Sequence, residues 1–312
     1  PEHLRPRMFE ILGKTSIDFM GLRRYSFAFS GVLTLVGLLA LVQIGRGAAN
    51  LGIDFAGGTA VQLKFEQPIP IEQARQSLIR NGLTDVELQE FTAGNKLLVR
   101  VKTQTTIEEK VAEKVLEVFK KDFAGNPFAV DSSYEIGPTI GQKLQKDALI
   151  AISISMLGIM IYVAARFEFR FGVAAAIATF HDVFAVLGVF YVLDKEISLL
   201  IVTALLTLAG YSLTDTVVVF DRIRENLKVR HRDPLETVIN NAVNQVLSRT
   251  VVVSLTVILV LIPLTLAGGE VLHDFSLALL LGVIVGTYSS VFVASPLLIL
   301  WKGTPGKLLR RR

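Results

Sequence analysis

Cysteine is absent from the 312 residues. Disulfides, thiolate metal sites, iron–sulfur clusters and a cysteine nucleophile are therefore excluded. Charge is scarce too: Asp, Glu, Lys and Arg make up 19% of the chain, against about 25% in an average soluble domain. The net charge of +4 is far from the strongly basic footprint that nucleic acid requires, so no nucleic-acid partner is expected. The four histidines form no H-E-x-x-H or similar metal-binding pair. What the chain has in abundance is apolar residues, at 51%. The polar surface is too small for a soluble protein of this length, which points to an integral membrane protein.

A helix needs about 20 apolar residues to cross about 30 Å of hydrocarbon. Six runs stand out: Ser26–Ile44, Ala148–Ala165, Phe171–Leu193, Ser198–Phe220, Thr250–Gly268 and Ser276–Leu300. The first is read as a span and not as a cleaved signal, because its apolar core exceeds the usual signal length of about 15 residues. The links are unequal, and only 45–147 is long enough to hold a domain. This gives a tail at 1–25, span 1 at 26–44, the domain at 45–147, spans 2–6 within 148–300 with a charged loop at 221–249, and a tail at 301–312. Eighteen Lys and Arg fall on the side of the two tails, the 166–170 turn and the 221–249 loop, whereas the short loops opposite hold only Lys195. Positive charge stays inside, so both termini are expected in the cytoplasm and the 45–147 domain on the far side.

Within 45–147 the pattern alternates between strand and helix. Thr59–Phe65, Val86–Phe91, Lys96–Lys102 and Phe128–Ile136 read as strands, Ile71–Arg80 and Thr106–Phe119 as helices, and 92–95 as a hairpin turn. The order β-α-β-β-α-β is ferredoxin-like. The fold class expected is a polytopic α-helical membrane protein with six transmembrane helices and one α+β ferredoxin-like exported domain between helices 1 and 2. The domain carries no catalytic cluster, so a binding or lever module is expected and not an enzyme. Gly57 and Gly58 at one junction, with Gly137, Pro138 and Gly141 at the other, are read as bend points.

Ionisable groups inside spans are costly and are functional candidates by default. His181 and Asp182 lie midway along span 3, Asp215 lies in span 4, and Arg249 stands at the start of span 5. Asp182 shares a stripe with Ala174, Ala178 and Ala185, and span 6 has a stripe of Gly282, Gly286, Ser290 and Ala294. Small residues mark close helix contacts in membranes, so Asp182 is expected to face the bundle. Asp215 and Arg249 enter from the same side on consecutive antiparallel helices. They suit a proton switch, or else a static pair holding two helices. His181 and Asp182 suit an interhelix tether, a proton relay or, least, a metal ligand. His273 and Asp274 are read as a helix cap.

A series of motifs along the chain resembles the SecF branch of the SecD/SecF family of bacterial protein-export membrane proteins. The matching segments are Gly52–Gly58, Glu135–Gly141, Arg166–Phe171 with His181-Asp182, Gly210–Asn226, Ser248–Thr250, Gly268–Ser276 and Gly282–Ser290. Ala56 departs from the threonine common in the family. The resemblance implies half of a twelve-helix body of the resistance–nodulation–division type, completed by SecD, in the bacterial inner membrane. It also implies work with SecYEG, SecA and possible neighbours YajC or YidC on a translocating preprotein. It implies no cofactor, with protons as the coupling ion, and it assigns Asp215 and Arg249 to that coupling. Two other classes compete: a half-transporter for lipids or small molecules, and an intramembrane hydrolase built on His181 and Asp182.

Overall fold

The computed structural model describes residues 15–84, 86–91, 95–102, 111–230 and 233–300. In chain order the elements are α1 (Arg23–Gly45), α2 (Ile53–Ala56), β1 (Gly58–Phe65), α3 (Ile71–Arg80), β2 (Val86–Phe91), β3 (Lys96–Lys102), α4 (Val111–Asp122) and β4 (Phe128–Ile136). There follow α5 (Pro138–Arg166), α6 (Phe169–Val192), α7 (Leu199–Val229), α8 (Leu235–Ala267), α9 (Gly269–Ser289), a π-helical turn (Ser290–Ala294) and α10 (Ser295–Leu300). Six helices are long and apolar enough to span a membrane, the last running through α9, the π turn and α10. The turn residues 92–94, the expected start of α4 at 106–110 and the tail at 301–312 lie outside the described residues.

The chain forms two units, the smaller being Ala49–Ala151 together with Glu196–Val202. Its sheet is antiparallel with order β2-β3-β1-β4, the expected ferredoxin-like arrangement. Alternation decides its faces, since successive side chains on a strand point to opposite sides. Val61, Leu63 and Phe65 of β1 and Leu97, Val99 and Val101 of β3 face α3 and α4, where Ala74, Leu78, Val115, Val118 and Phe119 complete one core. The opposite face is mostly polar, and there Leu98 and Ala60 pack with Ile53 of α2.

The glycines expected as bend points are held by close packing. Gly57 (φ 79°) ends α2 and Gly58 (φ 147°) opens β1, conformations that L side chains avoid. A Cβ on Gly58 would collide with the Val101 carbonyl oxygen, and one on Gly141 would lie 2.8 Å from the Phe55 carbonyl oxygen. The Gly137 carbonyl accepts the amides of Ile140 and Gly141 at 2.9 and 3.0 Å. Pro138 follows as the first residue of α5, a position where its missing N–H costs nothing.

The larger unit holds most of the helical bundle. The expected loop at 221–249 is instead mostly helix: α7 continues to Val229, and α8 begins at Leu235. At 1.5 Å per residue these helices run about 46 and about 50 Å, longer than the hydrocarbon core. Their extensions are charged outward, but Phe220, Ile223 and Leu227 pack against Val238, Ile239, Ala242 and Val243. Asn244 of α8 pairs both ways with Ile17, accepting its amide at 2.9 Å and donating to its carbonyl at 2.8 Å. Asn240 accepts the Phe19 amide at 2.9 Å, which fixes the segment entering α1.

Candidate functional site

Small residues let α6, α7 and α9 approach closely. Ala174, Ala178 and Ala185 of α6 are buried, as expected of a packing stripe. In α9, a Cβ on Gly282 would lie 2.5 Å from Leu208 of α7, and one on Gly286 would lie 3.2 Å from Ser212. The partner of the span 6 stripe is therefore a helix of this same chain.

This close approach brings polar groups of three helices together around Asp182, which is fully buried. The Ser212 hydroxyl of α7 donates to Asp182 Oδ2. The Ser289 hydroxyl, at the end of α9, donates to the same oxygen at 2.7 Å. His181 Nδ1 lies 2.9 Å from Oδ1. Both carboxylate oxygens are thus engaged, and the geometry is that of a tether between helices. His181 Nε2 is buried without a protein partner. The π-helical turn begins directly after Ser289, and such turns often mark functional sites.

Asp215 lies three residues beyond Ser212 on α7, about 4.5 Å along the axis, and is 5% exposed. Its Oδ2 has no hydrogen-bond partner, nor do the buried Tyr211 hydroxyl, Thr216 Oγ1 and Thr250 Oγ1. Native buried polar atoms are nearly always paired, so four orphans in two neighbouring stretches of sequence mark this spot out. The Arg249 guanidinium and the Ser254 hydroxyl of α8 bear on the carboxyl electrostatically. Among the described residues, Arg249 makes no ion pair with Asp215 within 4.0 Å, and its side chain is exposed. Ser254 is bonded to Thr287 of α9 at 2.5 Å. Arg249 thus acts on Asp215 through its charge and not through a contact, and Asp182 has its own partners in His181, Ser212 and Ser289.

Sequence reasoning missed Ser289, Ser254 and Thr287. Hydroxyl residues are common in membrane helices, and only the helix register shows which of them point at a carboxylate. His273 and Asp274 do not cap a helix, because α9 already starts at Gly269. His273 Nδ1 instead lies 2.7 Å from the Thr265 carbonyl oxygen, and Lys195 pairs with Asp274 at 2.9 Å.

Comparison with known proteins adds to this geometry. Residues 115–304 match the description "Protein export membrane protein SecD/SecF, C-terminal", and residues 49–69 match the "SecD/SecF GG Motif". The protein translocase subunit SecF of Thermodesulfovibrio yellowstonii is 49% identical, over 94% of this chain and 97% of that one. The SecF subunit of Magnetococcus marinus is 44% identical over 93% of each. The crystal structure of SecDF from Thermus thermophilus, described as a translocon-associated membrane protein, superposes with a TM-score of 0.82 at 36% identity. That match covers 96% of this chain, which spans 40% of the length of the SecDF chain. SecDF in a super-membrane-facing form matches with a TM-score of 0.69 over the same shares. With the family description covering more than half its length and near-full-length relatives at this identity, the chain belongs to the SecD/SecF family of protein export membrane proteins.

Proposed function

We propose that this chain is a SecF-type subunit of the protein translocase, one half of a membrane body completed by a SecD-type partner, and that Asp215 binds the coupling proton. The near-full-length relatives named SecF support the export role. The SecDF chain, of which this one spans 40%, supports the partnership. The helices of spans 1, 2 and 5 are buried over only 17% of their most apolar stretches. That leaves wide apolar faces for lipid and for a second half. The distribution of Lys and Arg supports cytoplasmic termini and an α+β domain on the far side of the inner membrane.

One observation carries the proton assignment: a buried carboxyl oxygen of Asp215 has no partner, while the charge of the Arg249 guanidinium acts on that carboxyl without an ion pair. A lone carboxylate in such a site is costly, so it is held either protonated or paired. Arg249 enters from the watery end and can close onto Asp215 when the proton leaves. Proton binding thus changes which contacts α7 and α8 make. The subunit acts in transport without bond-making chemistry of its own, and SecYEG, SecA and a moving preprotein are the machinery it serves.

The test is proton flux and export in vesicles holding the chain with its SecD-type partner and the translocon. Asp215→Asn should assemble but abolish proton flux and the proton-dependent part of export. Arg249→Lys should also lose coupling, because lysine lacks the planar fork that grips a carboxylate with two bonds. Normal flux in the Asn variant at normal expression refutes the assignment.

A further inference from the structure

The glycine motif is built around the Leu199 end of α7. Ile197, two residues before that helix, forms a parallel bridge with Leu51. The Gly52 amide donates to the Ile197 carbonyl at 3.0 Å, and the Ile197 amide donates to the Asn50 carbonyl at 2.8 Å. Asp54 Oδ2 accepts the amide of Leu199, the first residue of α7, at 3.1 Å. The first N–H groups of a helix have no partner within it, so Asp54 caps α7 from another part of the chain. Beside it, Arg100 of β3 pairs with Glu196 at 2.8 Å, with side chains only 18% and 9% exposed. A Cβ on Gly52 would come within 2.6 Å of Glu196 Oε1 and 3.2 Å of Ser198 Cβ, so a side chain there would press the Glu196 carboxylate out of its present place. Ile53 and Phe55, on either side of Asp54, are buried and anchor the short helix that presents the carboxylate.

We propose that the glycine motif is a fixed joint gripping the Leu199 end of the Asp215 helix, with Asp54 and the Arg100–Glu196 pair as positioning residues. This rests on the reading of Asp215 as the proton site. From Leu199 to Asp215, α7 is one unbroken helix of 16 steps, about 24 Å. A shift of that helix on protonation is carried along its axis to Leu199 and delivered to the motif. From there it passes into the sheet, since Gly58 of the motif opens β1 and Arg100 lies on β3. The joint adds a connection besides those through α1 and α5, and it is the one that belongs to the helix bearing the carboxylate. Helix shifts of 1–2 Å are an ordinary means of transmission, and a loose joint would absorb them.

The test uses the full chain with its SecD-type partner in vesicles. Asp54→Ala combined with Arg100→Met should leave proton flux and assembly intact but abolish proton-dependent export. Wild-type export by this variant overturns the joint. Should the double variant fail to assemble, Asp54→Ala alone, with the Arg100–Glu196 pair retained, is read by the same criteria. The chain has no cysteine of its own, so Leu51→Cys with Ile197→Cys gives a clean reversible lock. Export should persist when the lock is oxidised, whereas a loss restored by reductant would show that the contact must open, which refutes a fixed joint. Amide exchange supplies a readout independent of protons: Asp54→Ala should lower protection at Leu199–Val202 about fivefold, the scale of one lost helix cap. Unchanged protection there removes Asp54 as the cap. If Asp215→Asn conducts protons normally, the proton reading fails, while the lock and the exchange still judge the joint.

Discussion

Replacing Asp182 separates a tether from a proton carrier. Asp182 is fully buried and holds three contacts: Ser212 of α7, Ser289 of α9 and its neighbour His181. Asp182→Ala removes all three contacts, leaving the Ser289 hydroxyl only its 3.2 Å bond to the Gly286 carbonyl. Side-chain hydrogen bonds between membrane helices are worth about 0.6 kcal/mol on average and about 1.7 at most, so the two serine contacts, which alone cross between helices, amount to about 1–3 kcal/mol. Asp182→Asn is different. Its carboxamide oxygen can take both serine hydroxyls, and its NH₂ can donate to His181 Nδ1 in the tautomer that accepts there. A tether therefore predicts that Asn stays within about 0.5 kcal/mol of wild type while Ala loses about 1–3 kcal/mol. The assay is reversible unfolding of the purified chain in mixed micelles, followed alongside export. If Asn is as damaging to export as Ala while retaining stability, the negative charge itself is needed and Asp182 is part of the proton path. If Ala unfolds no more easily than wild type, the three contacts carry no weight and the tether is refuted.

Two further outcomes follow from packing and from burial outside the membrane. Gly286→Ala should cost a little stability, since a Cβ there meets Ser212 at 3.2 Å and that side chain must give by a few tenths of an ångström, whereas Gly286→Leu should unseat α9 from α7 and destroy the folded bundle; an intact, active Leu variant in gel filtration and export assays would contradict the contact. For Glu196, burial pushes the carboxyl above the ordinary glutamate range against the opposing charge of Arg100. The folded state therefore favours the protonated form, and the stability this contributes is full at low pH and falls as pH rises through the raised value. Denaturant melts of the full chain at stepped pH should show that fall, flattened by Glu196→Gln; identical slopes for the two would refute it.

The sequence announced the architecture because its two strongest signals, long apolar runs and strand alternation, are the ones that burial imposes. The four strands and α3 lie where alternation and the Asn81-Gly82 stop put them. The helices α7 and α8 run past the ends of their apolar stretches for a definable reason. Hydropathy measures where hydrocarbon ends, and a helix does not stop there if its backbone bonds continue and one face stays buried. That face was present in the pattern: Phe220, Ile223 and Leu227, then Val238, Ile239, Ala242 and Val243, recur at helical spacing within the charged stretch. A period of 3.6 was the signal to weigh there, ahead of charge content.

The site divides along similar lines. The burial of Asp215 and Asp182 was legible because a charge inside an apolar run is conspicuous one residue at a time. Their partners were not, since Ser289, Ser254 and Thr287 gain meaning only when three helices are in register. The glycines show the limit most clearly. Their flexibility in isolation suggests hinges, but in the folded chain Gly58 and Gly141 are places where a side chain would strike a neighbouring carbonyl. Glycine permits motion and glycine permits contact; composition does not distinguish the two. What decides is whether other groups already occupy the space a Cβ would take, as Glu196 does at Gly52. Gly47 shows a third use: at φ 69° it closes α1, its own amide donating to the Ile44 carbonyl at 3.0 Å and that of Ala48 to the Gln43 carbonyl at 2.9 Å, the left-handed cap that glycine adopts without strain.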